Sequence, residues 1–359
     1  MSNSLLINLA VLFDKPTGIA TYAQNVIKSL ASLNPTLLSA RSLDNFKQYA
    51  IAANMTPQEG SLGHFRRLLW TQFELPKIYR HLQADLIYSP IPEAPLYSQS
   101  RYVVMAHDLI PLRFPRRTSP LTNYFRYIVP LVLQQAEHII CNSQATARDL
   151  SDFYGISTHK ITPILLGYDA KNFYPRKTTA YFDRPYFLYL GRQDPYKNIA
   201  GLINAFAAIA NNNYYLAIAG STDPRFTPQL QQQALELGIS DRVFWLDYLN
   251  YRELPNVISG AVALVFPTFW EGFGLPVLEA MACGTPVITS NLASLPEITG
   301  DAAILIDPYD NAAITTAMSD LTKDAKMRSQ LSQLSIQQAQ KFSWSKTGEA
   351  TKEVLKQYL

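Results

Sequence analysis

Four ionisable side chains in the second half of the chain have the types and spacing to hold a phosphorylated sugar: Arg192 and Lys197, five apart, and Glu271 and Glu279, eight apart. Arginine offers a planar fork for phosphate oxygens and lysine a compact charge, so two cations flanking one turn suit a diphosphate. A carboxylate beside a bound phosphate repels it unless it faces a neutral donor, and sugar hydroxyls are such donors. As solvated charges, or with Glu279 only complementing a helix dipole, the same residues would bind nothing; spacing alone leaves both readings open. A fifth group, His107, follows the apolar run 102–106 in His107-Asp108-Leu-Ile-Pro111. It reads either as a structural histidine followed by a capping aspartate or as a strand-end residue facing a ligand.

Each of these residues falls where a short apolar run gives way to a loop. Residues 263–266 suit a buried parallel strand, Gly272 and Gly274 bracket a tight turn, Pro276 opens a helix and Gly284 closes it. That turn aims an uncovered helix N-terminus at the carboxyl end of a strand, a place for an anion. Residues 186–190 form a strand running into Gly191-Arg192 and on to Lys197, after which Leu202, Ile203, Phe206 and Ile209 share one helical face. Residues 5–13 read as the first buried strand. Residues 14–17 make a turn with Gly18 at the strand-to-helix junction, and Ile19, Tyr22, Ala23, Val26, Ile27 and Leu30 follow at helical spacing. Further strands are expected at 86–88, 102–106, 139–141, 161–165, 216–219 and 243–246, and a polar, proline-bounded stretch at 175–184 reads as a linker.

The segment from Glu271 to Ala280, Glu-Gly-Phe-Gly-Leu-Pro-Val-Leu-Glu-Ala, resembles the Glu, seven residues, Glu signature of family four glycosyltransferases, retaining enzymes of the GT-B fold. Gly191-Arg192-x-x-x-x-Lys197-Asn is similar to that family's diphosphate-binding segment, and Gly18-Ile-x-x-Tyr22 and His107-Asp-Leu to its loops near the donor sugar. The resemblance implies an α/β architecture of two facing Rossmann-like doubly wound domains with an interdomain cleft. Residues 1–175 would bind the acceptor and 185–340 the nucleotide-sugar donor, while a helix in 341–359, opening at Phe342-Ser-Trp344, would cross back to the first domain. It implies donor contacts from Gly18, Gly191, Arg192, Lys197, Tyr248, Glu271, Gly272, Phe273, Gly274, Leu275 and Glu279. His107, Arg192, Lys197 and Glu271 would be the catalytic set. Asp247 stands where the family has glycine, so base selection departs from the pattern. The run His107-Asp-Leu-Ile-Pro-Leu-Arg-Phe-Pro115 is similar to mannosyltransferases that build surface polysaccharides, which implies GDP-mannose, with UDP-sugars as the other choice. The acceptor implied is a saccharide or lipid-linked saccharide, and attack from the face that the diphosphate leaves would make His107 a positioner.

Composition narrows the alternatives. A chain of 359 residues, 48% hydrophobic and 16% charged, has room for two globular cores, and a net charge of +3 is too small for a dedicated nucleic-acid binder. Residues 1–175 hold 16 Lys and Arg against 11 Asp and Glu, and the remainder 15 against 17, a tilt that suits either an anionic ligand or lipid, or merely a solvated face. Residues 61–83 set Arg66, Arg67, Lys77 and Arg80 among Phe65, Leu68, Leu69, Trp70 and Phe73, which reads as a core helix with a basic rim or as a peripheral membrane contact. Cys141 and Cys283 lack metal-ligand spacing, and residues 5–13 have neither a basic leader nor a cleavage site; a cytoplasmic setting is expected, on or near the membrane's inner face. No Asp-x-Asp occurs, so no metal or other cofactor is expected beyond the nucleotide-sugar co-substrate. A nucleotide-sugar epimerase or phosphorylase of similar architecture, or a non-enzymatic cleft-type binding protein, remain the competing classes.

Overall fold

Short apolar runs separated by helices build parallel sheets, because parallel strands need a crossover and the crossovers here are helical. The computed structural model describes residues 4–12, 17–116, 119–177, 181–209 and 213–359. Over these the chain forms two units: one runs to Gly167 and resumes at Trp344, and the other is Tyr168–Ser343.

The first unit begins with β1 (Leu5–Asn8), α1 (Gly18–Leu30), β2 (Thr36–Ser39) and β3 (Lys47–Ala50). Helices α2 (Gly60–Phe73) and α3 (Leu75–His81) lead to β4 (Leu86–Ser89) and β5 (Tyr102–Ala106). Then come α4 (Ile110–Arg113), α5 (Pro120–Tyr127), α6 (Val129–Gln135), β6 (His138–Cys141), α7 (Gln144–Tyr154) and β7 (Ile161–Pro163). The strands pair in the order β3-β2-β1-β4-β5-β6-β7, all parallel. Leu6, Ile87, Val104 and Ile139 bury completely at its centre, each contributing about 1.5 to 3 kcal/mol.

The second unit contains β8 (Tyr186–Leu190), α8 (Ile199–Ala207), β9 (Tyr215–Ala219), α9 (Thr227–Glu236) and β10 (Val243–Leu246). It continues with α10 (Leu254–Ser259), β11 (Ala263–Phe266), α11 (Leu275–Ala282), β12 (Val287–Ser290), α12 (Leu295–Thr299) and β13 (Ile304–Ile306). Two longer helices, α13 (Asn311–Lys323) and α14 (Ala325–Ala339), close it. Its order is β10-β9-β8-β11-β12-β13, again all parallel. The last helix, α15 (Trp344–Lys356), packs along α1 in the first unit.

Several sequence expectations are corrected. The first strand stops at Asn8: Leu9–Leu12 are buried in a turn, with the Leu12 N–H donating to the Leu9 carbonyl at 3.0 Å, so their apolarity reflects burial and not strand pairing. Residues 13–16 of the expected strand and turn, and 178–180 of the linker, lie outside the described residues. The division falls at Gly167, ahead of the proline-bounded stretch. Residues just after it belong to the second unit, where Asn172 Nδ2 donates to the Tyr251 carbonyl at 3.0 Å and the Phe173 and Tyr251 rings meet edge to face at 5.6 Å. Arg67 lies on no basic rim. With Gly63 and Thr71 it occupies the inward face of α2, where Nε and Nη2 donate to Glu93 at 2.6 and 2.8 Å. The outer face instead carries Leu62, Phe65, Leu69 and Phe73.

Candidate active site

In a doubly wound sheet ligands bind beyond the carboxyl ends of the strands, at the place where the strand order reverses. In the second unit that place is between β8 and β11. The loop leaving β8 contains Gly191, Arg192 and Lys197; the loop leaving β11 contains Glu271–Gly274 and feeds α11.

Lys197 ends a short turn, Pro195–Lys197, and the next residue, Asn198, sits at φ 55° with its side chain capping α8. That backbone turns the lysine inward. Its ammonium forms an ion pair with the Glu271 carboxylate, both side chains nearly buried, and lies 5.0 and 5.3 Å from the ring centres of Tyr196 and Phe266. Arg192 differs: its side chain is 74% exposed and its Nε lies 2.9 Å from Asp194 Oδ2. Two cations that spacing presents as equals are thus a buried, neutralised one and an exposed one.

The Glu271 turn is held from below. Ser294 Oγ lies 3.0 and 2.7 Å from the carbonyl oxygens of Glu271 and Phe273, so one hydroxyl proton is shared between them. Gly274 adopts φ 102°, and a Cβ there would come 2.7 Å from Leu295 Cδ2; the turn therefore needs glycine. Gly272 and Phe273 are buried, and Leu275 and Pro276 open α11, which has no side-chain cap. An uncapped start leaves the helix dipole to an incoming anion.

Glu279 is the fifth residue of α11, just past its first turn. Burial, reinforced by the Asp169 carboxylate, pushes its pKa up to about 8. Asp169 in turn accepts from Tyr251 Oη at 3.2 Å. Tyr248 is not brought to this group: it is exposed at the end of the outer strand β10, with β9 between it and β8.

The first unit places two of the expected residues at the reversal between β1 and β4 and on the neighbouring β5. Gly18 is the first residue of α1, capped by Thr17 Oγ1, which accepts from the Ala20 N–H at 3.2 Å. His107 leaves β5, and its Nε2 lies 2.8 Å from the Pro90 carbonyl oxygen. A carbonyl only accepts, so Nε2 carries the proton and Nδ1 is left as an acceptor. Burial lowers the pKa of His107 to about 4, against the opposing effect of that hydrogen bond, so the ring is neutral at pH 7. The Tyr22 ring and the imidazole meet edge to face with centroids 5.1 Å apart, and Tyr22 and Tyr88 share a 2.5 Å hydrogen bond between hydroxyls.

Residue types alone missed Asp194, Ser294, Asp169 and the Tyr22–Tyr88 pair as site-forming groups. Asp169 is short of any local signal, because its partner Tyr251 is 82 residues away.

Two parallel doubly wound sheets, one with a basic and carboxylate loop pair at its switch point, define the architecture of GT-B glycosyltransferases. A crystal structure of HepE from Anabaena, in complex with UDP and glucose, superposes with a TM-score of 0.77 at 19% identity, covering 99% of this chain and 100% of that one. Sequence carries the assignment further. Residues 170–338 match the group 1 glycosyl transferases and residues 16–172 match glycosyltransferase family 4. An O-antigen chain mannosyltransferase of Salmonella typhimurium is 25% identical over 328 residues, 88% of this chain and 90% of that protein. An O-antigen chain mannosyltransferase B of Escherichia coli is 37% identical over 165 residues, 44% of this chain and 42% of its own length. The chain belongs to the group 1 and family 4 glycosyltransferases, and it is a glycosyltransferase.

Proposed function

We propose that the protein is a retaining, metal-independent hexosyltransferase that moves mannose from GDP-mannose to a saccharide or lipid-linked saccharide during cell-surface polysaccharide synthesis. The observation that carries this reading is the meeting of Lys197 and Glu271 at the β8/β11 switch point, beside the uncapped start of α11. A diphosphate arriving there takes Lys197 and the α11 N-terminus, and Arg192 swings in from solvent as a second cation. Glu271, released from Lys197, accepts from hydroxyls of the transferred sugar, and Glu279 faces the ribose. As the glycosidic bond breaks, negative charge grows on the leaving diphosphate, and Lys197 and Arg192 stabilise it. His107 accepts a hydrogen bond from a sugar hydroxyl through Nδ1; neutral and already donating through Nε2, it orients without exchanging a proton.

Mannose is favoured by the two O-antigen relatives, whereas the UDP and glucose bound to the Anabaena protein keep UDP-sugars as the competing donor. Among the described residues no helix is long and apolar enough to cross a membrane. The outer face of α2, with Phe65 56% and Phe73 64% exposed and Arg66, Lys77 and Arg80 close in sequence, supports a peripheral contact with anionic lipid on the cytoplasmic side.

A thermal-shift series with GDP, UDP and their sugar conjugates tests the donor, since a ligand at 100 times its dissociation constant adds about 2.7 kcal/mol. A shift with UDP and none with GDP overturns the mannose reading. Sedimentation with vesicles of anionic and of neutral lipid tests the membrane contact, which fails if Phe65→Ser with Phe73→Ser sediments like the unaltered protein.

A further inference from the structure

Close to the Lys197–Glu271 pair stands an aromatic arrangement that the chemistry above does not use. The rings of Phe269 and Tyr309 stack with centroids 4.6 Å apart and planes inclined by 19°. Phe269 lies in the loop leaving β11, two residues before Glu271, and Tyr309 lies just past the end of β13. The stack therefore spans the carboxyl end of β12, on the same edge of the sheet as the ion pair.

Both rings are fixed through one turn. The Phe269 N–H donates to the Tyr196 carbonyl at 2.9 Å, and Thr268 Oγ1 donates to the same oxygen at 3.1 Å. On the other side Asn198 Nδ2 donates to the Pro308 carbonyl at 2.7 Å, and the Tyr309 N–H donates to Asp307 Oδ1 at 2.9 Å. Tyr196 and Asn198 flank Lys197, so the platform and the ammonium belong to one rigid frame. Yet Tyr309 is 70% exposed: its stacked face is covered by Phe269 and its outer face is open.

A preorganised, open aromatic face beside a sugar-handling carboxylate suits a pyranose. The axial C–H bonds of a pyranose present a weakly positive face that complements the negative face of a π system, while its rim of hydroxyls stays hydrated. We infer that Tyr309, backed by Phe269, is a stacking subsite for one pyranose unit of the saccharide acceptor. This rests on the proposed saccharide acceptor. The donor is left to the Arg192, Lys197 and Glu271 loops; Tyr309 would add an acceptor contact from the second unit, outside the residues 1–175 to which the resemblance assigns the acceptor, and so act on acceptor affinity and on which ring of an oligosaccharide is presented.

The test uses the full chain and mannobiose as probe. Saturation-transfer NMR on the unaltered protein is expected to show strongest transfer to protons of one pyranose face. Tyr309→Ala should weaken that signal and the probe's affinity roughly three- to tenfold, and Tyr309→Phe should retain them. In steady-state transfer the same loss should appear in the acceptor KM, with the donor KM unchanged. No face-selective transfer, or equal transfer in the unaltered and Ala proteins, overturns the subsite. Equal losses in Phe and Ala also overturn it, because the hydroxyl and not the ring would then be responsible. Release of GDP from GDP-mannose is measured alongside: its absence strikes the proposed donor reaction, while the face-selective signal decides the subsite separately.

Discussion

In the first unit a polar group is kept neutral by its surroundings, and in the second it is kept charged by a partner. His107 is half-buried, neutral and committed through Nε2 to Pro90, with Tyr22 and Tyr88 uncharged beside it. Lys197 and Glu271 are more secluded and face each other as an ion pair. The neutral arrangement leaves Nδ1 as an acceptor without any partner having to be displaced. The ionic one is internally satisfied, so under the proposed function it must be exchanged: phosphate would replace Glu271 at Lys197, and the freed carboxylate would accept from hydroxyls.

The hardest way to break the contrast is to remove one ion. Lys197→Ala strands a buried carboxylate, so a loss of about 3 to 5 kcal/mol in unfolding free energy is expected, together with a tenfold to hundredfold fall in turnover. Arg192→Ala, at an exposed pair, should cost at most about 1 kcal/mol of stability. Equal urea midpoints for the two variants would show that the Lys197 pair is no more secluded than its neighbour.

On the neutral side, His107→Ala removes an acceptor and should lower turnover about tenfold, whereas His107→Asn, whose amide oxygen can still accept, should lose less. If Asn falls as far as Ala, ring shape and not acceptance is what His107 supplies.

Sharpening the exchange step calls for Glu271→Gln. Taking away the carboxylate that competes for Lys197 should tighten binding of free GDP or UDP by about threefold to tenfold while transfer slows. Weaker binding in calorimetry would mean that Glu271 does not compete with phosphate.

Smallest is the pH response between 4.5 and 6.5, where the two units oppose each other, and above 6.5 Glu279 acts alone. His107 has its pKa lowered to about 4 from 6.5, so the folded protein binds fewer protons than the unfolded chain in between; that stability is present above 6.5 and is lost as pH falls through 4. Glu279 has its pKa raised from 4.5 to about 8, so its contribution is present below 4.5 and is lost as pH rises through 8. Calorimetric melts between pH 6.5 and 8 should therefore show a decline that Glu279→Gln flattens and His107→Asn does not.

Much of this was readable in advance. Residues 186–190 and 263–266 are apolar, short and bounded by glycine or proline, and both are strands; Gly18, Gly191, Glu271 and Gly274 all lie in loops or at helix starts beyond strand ends. What escaped the sequence is pairing at a distance. Lys197 and Glu271 are 74 residues apart, and nothing local distinguishes Lys197 from Arg192 until the φ 55° residue after it turns it inward. Likewise β3, Lys-Gln-Tyr-Ala, lies at the sheet's edge with its side chains largely exposed, so it lacks the apolar pattern by which a strand is recognised. Arg67 buries because Glu93 is there to meet it, which residue type alone argues against.

The helix α15 gives the chain a temporal order. It seats on α1 so closely that a Cβ at Gly348 would come 2.3 Å from Ser29 Oγ, and its Thr347 donates to the Leu165 carbonyl at 2.8 Å. These contacts join residues far apart in sequence, whereas the intervening unit is one uninterrupted stretch. The second unit can therefore close on itself from its own continuous stretch, whereas the first, although made earlier, is not complete until its last helix has been made. A chain truncated before Trp344 would keep every residue of the second unit, with its Lys197–Glu271 pair, but Tyr22, the neighbour of His107, would lack the Trp344 ring that packs 6.5 Å from its own.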